Sequence, residues 1–287
     1  MKAADGREIA VQVSGKPAGH PVFFFHGTPG SSVGPLPRLQ VLYKMGVQVI
    51  SFDRPGYGRS DRRFARTVAD VVPDVVTIAD SMGLETFAVV GRSGGGPHAL
   101  ACAAQLPHRV TQAAALVSLA PWGAAGLDWF NGMAGSNVDA FTTAAAEPER
   151  LITRLVQDAA RIKENPASHV AGLGPEMPEP DRRMMADADI RHLLAENFKE
   201  ALRDGPDGWI DDVLAFSSPW GFEVSDIRVP VLLWSGEMDV FSPVTHTRWL
   251  GDRIPDAHVQ IQPESAHFDA LKVLADVMAW LIRPTQP

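Results

Sequence analysis

Short apolar runs and helix-period stretches alternate along the first half of the chain. Ile9 to Val13 alternates apolar and polar residues, as an edge strand does. Pro21 to Phe25 is a continuous apolar run, the kind found in strands buried on both faces of a sheet. Val47–Phe52 and Thr86–Val90 are further strands of this kind, and Val110–Leu119 contains another. Between them the pattern predicts a helix that ends at Ser81-Met82-Gly83, with Gly83 as its stop and Pro73 in its first turn. A second helix is predicted from Pro97 to Leu106. The alternation resumes late in the chain. Strands are predicted over Val229–Trp234 and His258–Ile261, and helices over Val244–Ile254 and Phe268–Ile282, with Pro284 beyond the last. This order implies an α/β fold: a mostly parallel sheet with right-handed crossovers and helices on both faces.

The stretch from 121 to 225 reads differently. It has no clear strand run. Leu151, Ile152, Leu155, Val156, Ala159 and Ile162 carry the spacing of one helix face, and Ile190–Leu202 gives a second amphipathic helix. A proline-rich connector, Gly172 to Pro180, lies between them. The expected organisation is therefore a sheet-bearing core in two pieces, 1–120 and 226–287, with a helical insertion over 121–225. No internal repeat or low-complexity tract interrupts it.

Composition narrows the partners. The 287 residues are 45% apolar and 21% charged, the mix of a soluble globular protein. A net charge of −8 without any Lys/Arg run makes nucleic acid and anionic membranes poor expectations. No run reaches the ~18 apolar residues of a membrane span, and the N-terminus lacks the apolar core of a signal peptide, so the cytoplasm is the expected location. The one cysteine, Cys102, sits in an alanine-rich helix face and reads as a packed, inert thiol. It excludes an internal disulfide and any cysteine-based metal site.

Candidate chemistry centres on Gly91-Arg92-Ser93-Gly94-Gly95, which follows a predicted strand and opens a predicted helix. In that context G-x-S-x-G is a nucleophile elbow: the turn leaves no room for side chains at the glycines and exposes a strained serine. The N–H of Gly94 falls at a helix N-terminus, where the dipole favours a developing negative charge. With His26-Gly27-Thr28-Pro29-Gly30 and Ser93-Gly94-Gly95-Gly96-Pro97, the chain resembles the α/β-hydrolase superfamily, and in particular its members with a helical cap. The resemblance covers nearly the whole chain and is weakest in the insertion.

The resemblance implies a serine hydrolase with Ser93 as nucleophile, His267 as base and Asp239 as the acid that orients it. The order Ser, Asp, His is the one expected of this fold. Glu237 and Asp256 are rivals for the acid. Glu237 comes two residues early, and Asp256 precedes a strand rather than following one. Many members have glycine before the histidine, where this chain has Ala266. The resemblance also implies an oxyanion hole from the N–H groups of Thr28 and Gly94. His26 reads as a structural imidazole that shapes its loop, Asp53-Arg54 as a supporting turn, and His98 as packed in its helix.

The expected reaction is hydrolysis of an ester, lactone or related acyl bond through an acyl-enzyme, without cofactor or metal. A cap rich in Trp, Phe and Met would enclose an apolar pocket. It would suit a small acyl substrate with an apolar portion and argues against a strongly charged one. Trp122, Trp129, Phe130 and Phe268 are the candidate lining residues. Three other reactions use the same triad: peptide hydrolysis of the proline-iminopeptidase type, carbon–carbon bond hydrolysis and perhydrolysis. The iminopeptidases hold a free amino terminus with acidic cap residues, which the sequence does not place here. A non-catalytic receptor of the same fold is the alternative from another class. Oligomeric state is not readable.

Overall fold

The apolar runs become seven strands in a computed structural model that describes residues 1–166, 172 and 174–283. They are β1 (Val11–Gly15), β2 (His20–Phe25), β3 (Val47–Phe52), β4 (Phe87–Arg92), β5 (Val110–Leu116), β6 (Val231–Gly236) and β7 (Ala257–Gln262). Their order in the sheet is β1-β3-β2-β4-β5-β6-β7. Only β1 is antiparallel to its neighbour, with Val11 opposite Phe52. The fold class is thus the α/β arrangement expected from the alternation. β1 starts two residues later than expected, because Ile9 instead bonds back to the Met1 carbonyl.

Both faces of the central strands are buried, which is why β2 reads as a solid apolar block. Phe23 and Phe25 join one core with Val75, Ile78 and Leu100, from α2 (Val72–Ser81) and α3 (Gly96–Gln105). Val22 and Phe24 join the opposite core with Leu42 of α1 (Leu39–Met45). Each such side chain contributes roughly 1.5–3 kcal/mol by leaving water.

Among the described residues between β5 and β6 lie the helices α4 (Gly135–Ala146), α5 (Pro148–Glu164), α6 (Glu179–Ala186), α7 (Ala188–Ala201) and α8 (Asp207–Phe216). No strand occurs among the described residues of 121–225. The α5 stripe is narrower than its sequence spacing suggests. Leu151, Leu155, Ala159 and Ile162 are buried, whereas Ile152 and Val156 face solvent. α7 begins where the Asp187 carboxylate accepts the N–H groups of Asp189 and Ile190, an N-cap the sequence reading did not use. Leu173 of the connector, and Pro284, lie outside the described residues.

The chain closes with α9 (Val244–Gly251) and α10 (Leu274–Leu281). The single closing helix expected over 268–282 is divided. Phe268–Leu271 is a 3-10 turn, and only Leu274–Leu281 is α-helical. Asp269 accepts the Ala266 N–H at 3.0 Å, so this turn supports the residue beside His267 rather than extending the helix. No helix among the described residues is long and apolar enough to cross a membrane.

Candidate active site

Parallel strands place their carboxyl ends along one rim, and side chains that follow different strands can meet there. His26 follows β2, Ser93 follows β4, Asp239 comes three residues after β6, and His267 follows β7. Ser93 and His267 line one cavity of about 720 Å³, together with Gly27, Thr28 and Gly94.

The turn carrying Ser93 is as tight as its glycines suggest. Ser93 has φ 55°, in the left-handed region that side chains rarely adopt. A Cβ on Gly91 would stand 2.0 Å from the Gly95 carbonyl oxygen, and one on Gly95 would stand 2.2 Å from that of Phe25. Neither position can take a side chain without moving backbone, so Gly95→Ala is expected to yield little soluble protein, as measured by expression and thermal melting.

Asp239 and His267 are paired. His267 Nδ1 lies 2.9 Å from Asp239 Oδ2 and 3.1 Å from Oδ1. Oδ1 also accepts the N–H groups of Phe241 at 2.8 Å and Ser242 at 2.9 Å. A carboxylate only accepts, so the proton of the neutral imidazole sits on Nδ1 and Nε2 is free to take one. The alternative acids lie elsewhere. Glu237 is half exposed beside Arg248, and Asp256 is exposed beside His258.

The loop after β2 is held by groups beneath it. The Arg54 N–H faces His26 Nε2 at 3.2 Å, so Nε2 is the acceptor and Nδ1–H donates to the Gly27 carbonyl at 2.8 Å. Burial and then the charge of Arg54 push the His26 imidazole well below its ordinary value, so it stays neutral. Arg54 donates to the carbonyls of His26 and Gly27. In a trans peptide the C=O and N–H point opposite ways. Fixing the Gly27 carbonyl downward therefore turns the Thr28 N–H away from these donors. Thr28 also lies against Gly94, where an added Cβ would meet Thr28 Oγ1 at 2.2 Å. Asp53 supports the next turn by accepting the N–H groups of Ser32 and Arg59.

A buried charge cluster anchors this loop to α8, and the sequence reading missed it. Asp212 accepts from Arg54 at 2.5 Å, Arg66 at 2.6 Å, the Tyr57 hydroxyl at 2.8 Å and the Thr28 hydroxyl at 2.5 Å. Burial alone would raise this carboxyl, but Arg54 and Arg66 outweigh it and hold it well below the usual carboxylate range. Asp212→Ala would leave two buried guanidiniums without their anion. It is expected to cost about 3–5 kcal/mol, seen as a lower urea midpoint at neutral pH.

Of the residues expected to line the pocket, Phe268 does so. Trp122, Trp129 and Phe130 are not among the lining residues. They stack on one another with centroids 5.0–5.7 Å apart, and Trp129 also packs on Phe141 and His246. The walls come instead from Phe141, Leu155, Ile162, Phe198, Trp209 and Phe216. His246 is fully buried, accepts the Ala120 N–H and faces the Trp129 carbonyl, so it fastens structure outside the cavity. Cys102 is buried and its thiol is pushed up by burial. No group of three or more His, Cys, Asp or Glu among the described residues could hold a metal ion.

Known proteins place this geometry in context. A putative carbamate hydrolase of Caulobacter sp. (strain K31) is 27% identical over 267 residues, which is 89% of this chain and 87% of that protein. A proline iminopeptidase of Arabidopsis thaliana is 32% identical over 114 residues, 39% of this chain and 30% of that protein. The chain thus spans under a third of that relative. An esterase from Exiguobacterium antarcticum superposes with a TM-score of 0.71 at 21% identity, covering 99% of this chain and 98% of that one. An enol-lactonase from Burkholderia xenovorans LB400 gives 0.67 at 18%, covering 98% and 96%. At these identities the superpositions speak for the fold alone. The family model described as the alpha/beta hydrolase fold matches residues 20–272, and with that match the chain belongs to the alpha/beta hydrolase fold family.

Proposed function

We propose that the protein is a serine hydrolase that cleaves an ester, lactone or related acyl bond of a small substrate with an apolar portion. The observation that carries this reading is the Asp239–His267 pair in its fixed tautomer, at a cavity shared with a serine in a left-handed turn. In this reading the insertion 121–225 is a cap, and α4, α5, α7 and α8 supply its part of the pocket wall.

His267 Nε2 takes the Ser93 proton as Oγ attacks the carbonyl carbon. Asp239 stabilises the imidazolium that results. The developing oxyanion is met by the N–H groups of Thr28 and Gly94, each worth ~3 kcal/mol in comparable sites. His267 returns its proton to the leaving group, which departs and leaves an acyl-serine. Water, deprotonated by His267, then releases the acid and restores Ser93.

A fluorophosphonate probe is expected to modify Ser93 and no other residue, as read by mass spectrometry of the tryptic digest. Failure to label Ser93 would favour a receptor that kept the fold without turnover. Peptide hydrolysis of the iminopeptidase type is less well supported. The pocket carboxylates Asp139 and Asp158 already carry arginine partners, Arg154 and Arg161, and so are poorly placed to bind an amino terminus. p-Nitrophenyl butyrate is therefore expected to be cleaved faster than proline p-nitroanilide.

A further inference from the structure

One charged group at the pocket is not satisfied by the protein. Arg92 ends β4, one residue before Ser93, and lines the same cavity while being only 7% exposed. Its Nη2 stands 3.3 Å from the point a Cβ on Gly27 would occupy, and Ser93 Cβ stands 3.6 Å from that same point. The guanidinium edge therefore lies within about 7 Å of the Ser93 Cβ.

Nη1 of Arg92 is buried with no hydrogen-bond partner, and no hydrogen bond or ion pair among the described residues engages this side chain. The other buried arginines differ. Arg54 and Arg66 share Asp212. Two acids act on Arg92 through space, Asp181 and Asp239. Asp239 is spent on His267 and two backbone N–H groups. Asp181 accepts the Phe268 N–H through Oδ1, while its Oδ2 is buried without a partner.

Burial pushes the guanidinium down to about 10, which leaves it charged near neutral pH. A buried ion without a hydrogen-bonded counter-ion is costly to keep, and what it lacks is an acceptor. The free side of a guanidinium is a planar fork of donors that matches a carboxylate.

We propose that Arg92 recognises a carboxylate of the substrate, so that the preferred acyl compound carries one negative charge a few bonds from the scissile carbonyl. This rests on the Ser93 hydrolase reading and refines it. The apolar walls take the body of the molecule and Arg92 takes its single charge.

The test compares kcat/KM for monomethyl succinate, glutarate and adipate with methyl esters in which an isopropyl group replaces the carboxylate. A second series carries the carboxylate on the alcohol portion. At least one anionic ester is expected to be preferred by about tenfold or more. Arg92→Met should lower that anionic-to-neutral ratio by at least about 30-fold, and Arg92→Lys should restore part of it. Calorimetry of the preferred ester with the Ser93→Ala protein, with and without Arg92→Met, reads binding independently of turnover.

Neutral esters preferred by the wild-type protein in both series would overturn the proposal, even if Arg92→Met fails to fold. So would an Arg92→Met protein that loses both kinds of ester equally, since that is the behaviour of a structural arginine bridged through water to Asp181. Ser93-dependent cleavage of neutral esters without anion preference would sink this inference alone. Hydrolysis that survives Ser93→Ala would sink the reading beneath it.

Discussion

Ser93→Ala is expected to lower turnover of p-nitrophenyl butyrate by about 10⁶-fold, the loss seen when a triad nucleophile is removed elsewhere. The substitution deletes one oxygen and little volume. The turn it sits in is strained in the native protein already, with φ 55°, and alanine occupies that conformation no worse than serine. The flanking constraints at Gly91 and Gly95 are backbone contacts that the change does not touch. The melting temperature should therefore stay within a few degrees while activity falls to background. A protein that melts normally and still cleaves the ester would show that the hydroxyl is not the attacking group.

Asp239→Asn is expected to cost up to ~10⁴-fold in kcat, by analogy with other triads. The structure supplies the reason. The N–H groups of Phe241 and Ser242 both donate to Oδ1, at 2.8 and 2.9 Å. An asparagine would keep its carbonyl oxygen facing those two donors and turn its NH₂ toward His267 Nδ1. Nδ1 would then have to accept, which moves the ring proton to Nε2, the atom that receives the serine proton in the proposed mechanism. Steady-state kinetics should show a fall in kcat greater than any change in KM. An Asn variant with normal turnover would mean that another carboxylate orients the imidazole, or none.

The parts of this molecule legible in the sequence are those whose signal is local. β2 and β4 declare themselves as apolar blocks because both of their faces are covered. Gly91 and Gly95 mark the turn because a Cβ at either would strike backbone nearby. Asp212 was not legible, since its partner Arg54 is 158 residues away and only the folded chain joins them. A hint existed: Asp212 interrupts the apolar row Trp209, Val213 and Phe216 on α8, where a lone charge needs a hidden counter-ion. Trp122, Trp129 and Phe130 went outside the cavity because an aromatic residue that packs on its neighbours has the same apolar signature as one that meets a ligand. Arg92 carried no signal in the motif, where its position accepts any residue. Only burial without a partner singles it out.

The carboxylate of Asp212 has a practical consequence for redesign. It rivets α8 to the same loop that carries Thr28. A change of size or register in α8 made to admit a bulkier substrate would transmit itself to that loop and erode rate along with selectivity. Phe141 and Leu155, on α4 and α5, form the wall without sharing that rivet. Variation in substrate range, whether by laboratory selection or by divergence among relatives, can accumulate there at the least expense to turnover.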